Sequence, residues 1–201
     1  MNAILRYVMP FVFCFTNLQC FGNEGVFSIR NWINIPDGTS VAPFFNPKDC
    51  TSHLAWDLLE NVSIAAGEIE QESAIQTLPL VTQITFALSG SLQVIIKDAE
   101  DDFPIVLSVE SNEAVLMKPG SLFQFRNAGK GACRVLYIVS PAYLFELDNT
   151  GMVIYDDAFI VSENWEELKQ RQWYPAGLSS QESRRIEREE SYQRLSKRKR
   201  P

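Results

Sequence analysis

The chain has 201 residues, an apolar fraction of 46% with 13 phenylalanines, and a formal net charge of -7; that is enough apolar mass for one sizeable core and too much for a disordered protein. The charge is unevenly placed: residues 179–201 hold eight Lys or Arg against four Glu, so an acidic body carries a basic end. Such a body is not a nucleic-acid platform, and the basic end reads as a solvated, charged and flexible tail.

At the start of the chain Arg6 precedes an apolar stretch from Tyr7 to Phe15, with Cys20 and Gly22 as small residues ahead of Asn23. That order is the shape of a secretory signal over residues 1–22 and predicts export, periplasmic or secreted; the stretch is too short for a good membrane span, and the alternative is a strand or helix packed on the body. Residues 23–60 read as an N-terminal arm in which 27–35 is strand-like, Pro36-Asp37-Gly38 is a turn and 43–49 is a loop. Ser52, His53 and Asp57 lie close in sequence with no nucleophile elbow around them, so His53 reads as a surface or packing residue. Cys50 and Cys133 are the two thiols that would outlast a cleaved signal; an oxidising compartment permits their pairing, while Cys133 suits a buried apolar position in a strand.

From residue 62 the period changes to two. Residues 62–69 read as a strand with Gly67 as a bend or bulge, and 78–96 is a strand pair around Ser89-Gly90. Residues 98–102 are an acidic hairpin tip without the spacing of a calcium loop. Residues 113–143 give three more strands, punctuated by Pro119-Gly120 and by a turn over 127–131. A strand over 152–160 is interrupted at Asp156-Asp157, and Ser162 is the expected N-cap of a short helix over 163–171 whose Trp165 and Leu168 dock on the body. The domain plan is therefore 1–22 signal, 23–60 arm, 61–147 β-barrel core, 148–178 strand and helix packed on the barrel, and 179–201 tail.

Two of these runs resemble the paired motifs of the cupin superfamily. In the first motif Gly90 is the closing Gly, which places Gln76 and Leu78 at the two His positions, Gln83 at the Glu position and Glu70 at the leading Gly. In the second, Gly120 and Asn127 match, Phe123 stands where a His belongs and Pro119 is one place late. The resemblance covers about residues 60–147 and implies an all-β, antiparallel jelly-roll barrel with a short C-terminal helix. It also implies the place of a divalent metal, but amide, Leu, amide and Phe are not the ligand set such metals take, so no metal and no cofactor are expected.

If these positions face the barrel lumen, Gln76, Gln83, Thr85, Phe123, Phe125 and Tyr137 are the candidate ligand-binding residues, a set of amides, hydroxyls and rings suited to a small polar or sugar-like molecule. The bland alternative is that the same residues fill the core. A metal-free sugar isomerase or epimerase would need an acid and a base, for which Tyr137 and Glu113 are the candidates, and a metal-dependent oxygenase would need ligands in another register. A homodimer through the N-terminal arm or a barrel edge is the remaining expected partner, since open strand edges need cover.

Overall fold

Facing antiparallel sheets replace the alternating runs of the sequence. The computed structural model describes residues 32–44, 61–148, 150, 152–173 and 180–197; the expected signal, the arm loop, Cys50 and the His53 group lie outside them. Thirteen strands are present among the described residues: β1 Ile33–Asn34, β2 Ser40–Pro43, β3 Ser63–Ile69, β4 Ile75–Thr77, β5 Thr82–Ser89, β6 Leu92–Lys97, β7 Ile105–Val109, β8 Ala114–Met117, β9 Leu122–Asn127, β10 Cys133–Ser140, β11 Phe145–Leu147, β12 Val153–Asp156 and β13 Phe159–Ser162. Two helices follow, α1 Trp165–Gln170 and α2 Gln181–Lys197. One sheet has the order β1-β2-β3-β10-β5-β8 and the other β13-β4-β9-β6-β7, with β11-β12 as a separate hairpin.

Alternation decides which side chains meet between the sheets. Along β10, Cys133, Val135, Tyr137 and Val139 are buried while Arg134 and Ser140 are exposed. They join Ala87, Val94, Met117, Phe123 and Phe125 in one core. Gly67 is not a bulge: β3 runs in unbroken register with β10, and Gly67 is needed because the Tyr137 ring lies over it. A Cβ there would stand 2.3 Å from Tyr137 Cε2, well inside contact distance.

A second cluster, Ile75, Leu122, Val161 and Leu168, packs α1 on the outside of the five-stranded sheet, and the Trp165 indole donates to Gln124 Oε1 at 2.8 Å. The N-cap is Asn164 rather than Ser162; its side chain accepts from the Glu167 amide at 2.8 Å, which only a residue three places earlier can do. The helix closes with Gln172 N–H on Lys169 O and Trp173 N–H on Leu168 O, a Schellman pattern that holds Gln172 at φ 57 where Gly is usual. The interruption expected at Asp156-Asp157 separates β12 from β13, and Asp157 turns inward at the corner between them.

Residues 181–197 are likewise not a flexible tail. They form α2, docked by Arg184, Arg188 and Arg194 on Asp156, Asp157 and Glu146, with Leu195 as the buried apolar contact. The acidic hairpin between β6 and β7 is anchored as well. Asp98 accepts from Lys118 at 2.6 Å and Ser121 at 2.5 Å, and these partners, Lys118 first, hold its carboxyl below the usual range. A depressed carboxylate contributes stability that is present above its unfolded pKa and disappears as pH falls through the folded one. Asp98→Asn is therefore expected to melt below wild type at pH 7, with the gap shrinking from roughly pH 4 downward; a gap that stays constant in thermal melts from pH 7 to pH 2 would refute the assignment.

Candidate functional site

The six candidate residues arrive in the barrel interior from both sheets. Gln83 and Thr85 come from β5 and Tyr137 from β10, with Tyr137 opposite Thr85 in register. Gln76 on β4 is directly paired with Phe123 on β9, and Phe125 follows two places on. All six are buried, at 0–8% exposure. Several of them contact one another: Phe123 and Phe125 are 5.3 Å apart between ring centroids, Phe125 and Tyr137 are 5.7 Å apart, and Gln83 Nε2 donates to Thr85 Oγ1 at 3.1 Å. Leu78 joins the same core.

Two clefts open elsewhere. One of about 410 Å³ lies between Pro79, Pro119 and Pro141 and the α2 residues Arg185 and Arg188, and one of about 500 Å³ lies along 107–109 and 113–115. Neither is lined by any of the six.

The polar end of the interior holds a residue that sequence reading placed only in a turn. Asp37, 6% exposed, turns its carboxylate in from the β1–β2 connection. Oδ2 accepts from Gln76 Nε2 at 2.8 Å, and Oδ1 accepts from both the amide and the hydroxyl of Thr39, each at 2.8 Å. Burial, then the neighbouring Asp37 charge, push the Tyr137 pKa far upward, so it is a neutral phenol. The only sequence signal for this was the pairing of Asp with Gly38, which takes φ 91 to make the turn.

At the positions that the resemblance names, the side chains do not suit a metal. The positions that the resemblance assigns to ligands hold two amides, an isobutyl group and a phenyl ring, and among the described residues no group of three or more His, Cys, Asp or Glu comes together. Tyr137 and Glu113 do not come together as an acid–base pair: Glu113 is exposed in the turn after β7, where its carboxylate accepts from the Glu110 amide at 2.9 Å, while Tyr137 is buried in the core. Cys133 is buried, and desolvation raises its thiol pKa, which makes it a packing residue rather than a nucleophile.

No family model matches the sequence, and no curated protein matches it. Among solved structures, the Drosophila melanogaster CENP-C cupin domain is similar at 13% identity over 59% of this chain and 77% of that one, with a TM-score of 0.45. The Schizosaccharomyces pombe Cnp3 cupin domain is similar at 12% identity over 71% and 75%, TM-score 0.42. The Staphylococcus aureus capsular polysaccharide assembling protein CapF is similar at 14% identity over 66% of this chain and 32% of that one, TM-score 0.47. With its two facing antiparallel sheets and filled interior, the chain has a cupin-like jelly-roll fold.

Proposed function

We propose that this cupin-like module works without a metal and by association, as a homodimer joined through the outer face of its six-stranded sheet. The composition of that face carries the reading. Register places Ala42, Ala66, Leu136, Phe86 and Ala114 in one cross-strand row, buried at its Ala42 and Ala66 end, and Ile64, Ile138, Ile84 and Leu116 in the next. No residue in either row is polar. Ile84, Leu116 and the adjoining Leu88 are 38%, 53% and 47% exposed, whereas a soluble sheet with one free face ordinarily carries polar residues there.

A second copy is the occupant that such a face fits. In a two-fold interface the same patch meets itself, and for a chain of net charge -7 an uncharged patch meets its copy without like-charge repulsion at the contact. Arg134 and Glu68, 3.8 Å apart at one end of the rows, supply a polar rim of both signs. The arm or edge contact expected from sequence is the alternative interface. A small polar ligand inside the barrel finds less support, because the six residues that would bind it pack against one another.

Sedimentation across a concentration series tests the proposal. Wild type is expected as a dimer, and Ile84→Glu with Leu116→Glu as a folded monomer, the dimer constant weakening by about 100-fold or more as two charges are placed in an apolar contact. Val106→Glu, on the other sheet, should leave the dimer intact. A wild-type monomer at about 100 µM, or a double variant that still dimerises, would sink the proposal.

A further inference from the structure

We infer that the cleft between α2 and the barrel end is a binding site for a free amino acid with an apolar side chain. The inference is independent of the dimer, since no residue of the cleft lies in the two apolar rows. Among the described residues, two walls of different chemistry border this space of about 410 Å³. The barrel wall is apolar: Pro79 and Leu80 from the β4–β5 turn, Pro119 from the β8–β9 turn and Pro141 just after β10. The helix wall carries charge, from Arg185, Arg188 and Glu189. Both walls are fixed in place. Gly120 N–H donates to the Leu78 carbonyl at 2.9 Å, tying the Pro119 turn to the one that bears Pro79. Arg188 Nη2 donates to the Ala142 carbonyl at 2.5 Å, which holds α2 beside Pro141.

The charges of the helix wall select the ligand. Arg185 and Glu189 stand one helical turn apart, a spacing at which opposite charges can meet, yet each takes another partner. Arg185 lies 3.6 Å from Glu182, and Glu189 accepts from Gln193 Nε2 at 2.8 Å. The Arg185–Glu182 contact is exposed on both sides, so giving it up costs little. Arg188 meets Asp157 and Ala142 through Nε and Nη2. Its Nη1 has no hydrogen-bond partner among the described residues and is not one of their buried unpartnered atoms, so it is open to solvent on a residue that lines the cleft. A plain anion drawn by the guanidinium groups would meet Glu189, and a plain cation would meet two arginines. An α-amino acid carries both charges on neighbouring atoms: its carboxylate suits Arg185 and Arg188 Nη1, and its ammonium suits Glu189. Its side chain then faces the prolines and Leu80, where a charged group would lose water without gaining a partner.

Calorimetric titration of the full chain tests the site with L-phenylalanine as the probe. Saturable binding is expected, with half-saturation below about 1 mM, and glycine should bind at least about tenfold more weakly because it leaves the barrel wall bare. Arg185→Ala should weaken L-phenylalanine about tenfold or more and leave L-phenylalaninamide, which lacks the carboxylate, unchanged. Glu189→Gln should weaken L-phenylalanine similarly and leave 3-phenylpropionate, which lacks the ammonium, unchanged. Both positions are exposed, and should Arg185→Ala not fold, Arg185→Gln carries the same criterion. This crossed pattern is one that a merely structural role would not produce, since a distorted cleft weakens all three ligands together. No saturable binding of L-phenylalanine up to about 10 mM would overturn the proposal. So would 3-phenylpropionate binding as tightly as L-phenylalanine, or either variant weakening every ligand equally.

Discussion

Phe123→Ala is expected to lower the unfolding free energy by about 3–5 kcal/mol. The ring is 1% exposed and tilts at 55° against Phe125, which in turn contacts Tyr137, so the three rings bridge the two sheets across the barrel. Removing the first leaves a hole that strands on either side cannot close, because each is pinned by its neighbours in a ladder. Urea unfolding of wild type and variant measures the difference. Phe123→Leu should recover most of it, since most of the volume returns. A loss below about 1 kcal/mol would mean that the interior tolerates empty space there. That result, together with a stabilising shift by sugars that wild type shows and the variant lacks, would favour the ligand site over the filled core.

Much of this interior was legible because strands announce themselves locally. Alternation in 82–89 and 133–140 shows which residues share a face, but in 82–89 hydropathy alone would turn Ile84 and Leu88 inward, and only the motif spacing put Gln83 and Thr85 there; the turns at Gly90 and Gly120, both at positive φ, mark where each strand must end. The motif spacing was enough to bring Gln76 beside Phe123 in register. What could not be read depended on partners distant in sequence. Gly67 looks like a bend until the Tyr137 ring is placed over it, 70 residues later. Asp37 looks like an ordinary turn residue until Gln76, 39 residues on, donates to it. Helix α2 was hidden for another reason: amphipathic reading looks for Leu and Ile, and this helix docks through arginines whose buried carboxylates lie elsewhere in the chain. The same blindness applies to the outer face of the six-stranded sheet. Its apolar residues were visible as parts of strand patterns, but only register shows that they stand in continuous rows on the side away from the core.

Arg188→Ala is expected to be as damaging as the loss of a core ring, by about 3–5 kcal/mol, although the residue belongs to a stretch that reads as a solvated tail. Arg188 Nε donates to Asp157 Oδ1 at 3.0 Å, and Nη2 donates to the Ala142 carbonyl at 2.5 Å and to Asp157 Oδ2 at 3.3 Å. Asp157 is 1% exposed and also accepts from the Leu144 amide at 2.7 Å and the Tyr155 hydroxyl at 2.8 Å. One turn earlier, the Arg184 guanidinium lies 4.6 Å and 4.1 Å from the ring centroids of Tyr155 and Phe159, so the arginines fix the helix sideways as well as in depth. Truncating Arg188 leaves a carboxylate without its cation in a place water does not reach, and the penalty comes from that stranded charge rather than from the net worth of the pair. Two comparisons separate these contributions. Arg188→Lys should recover only part of the loss, since an ammonium cannot serve the carboxylate and the carbonyl with one planar fork. Arg188→Met combined with Asp157→Leu should cost less than Arg188→Ala alone, giving a coupling energy of about 2 kcal/mol or more in a double-mutant cycle. Hydrogen exchange over 181–197 reads the same event locally: in Arg188→Ala the α2 amides should lose protection while those of β5 and β10 keep theirs relative to the new global stability. A single-variant loss under about 1 kcal/mol with α2 still protected would show that the helix is held by Leu195 and its apolar neighbours, and that the buried ion pair is incidental to docking.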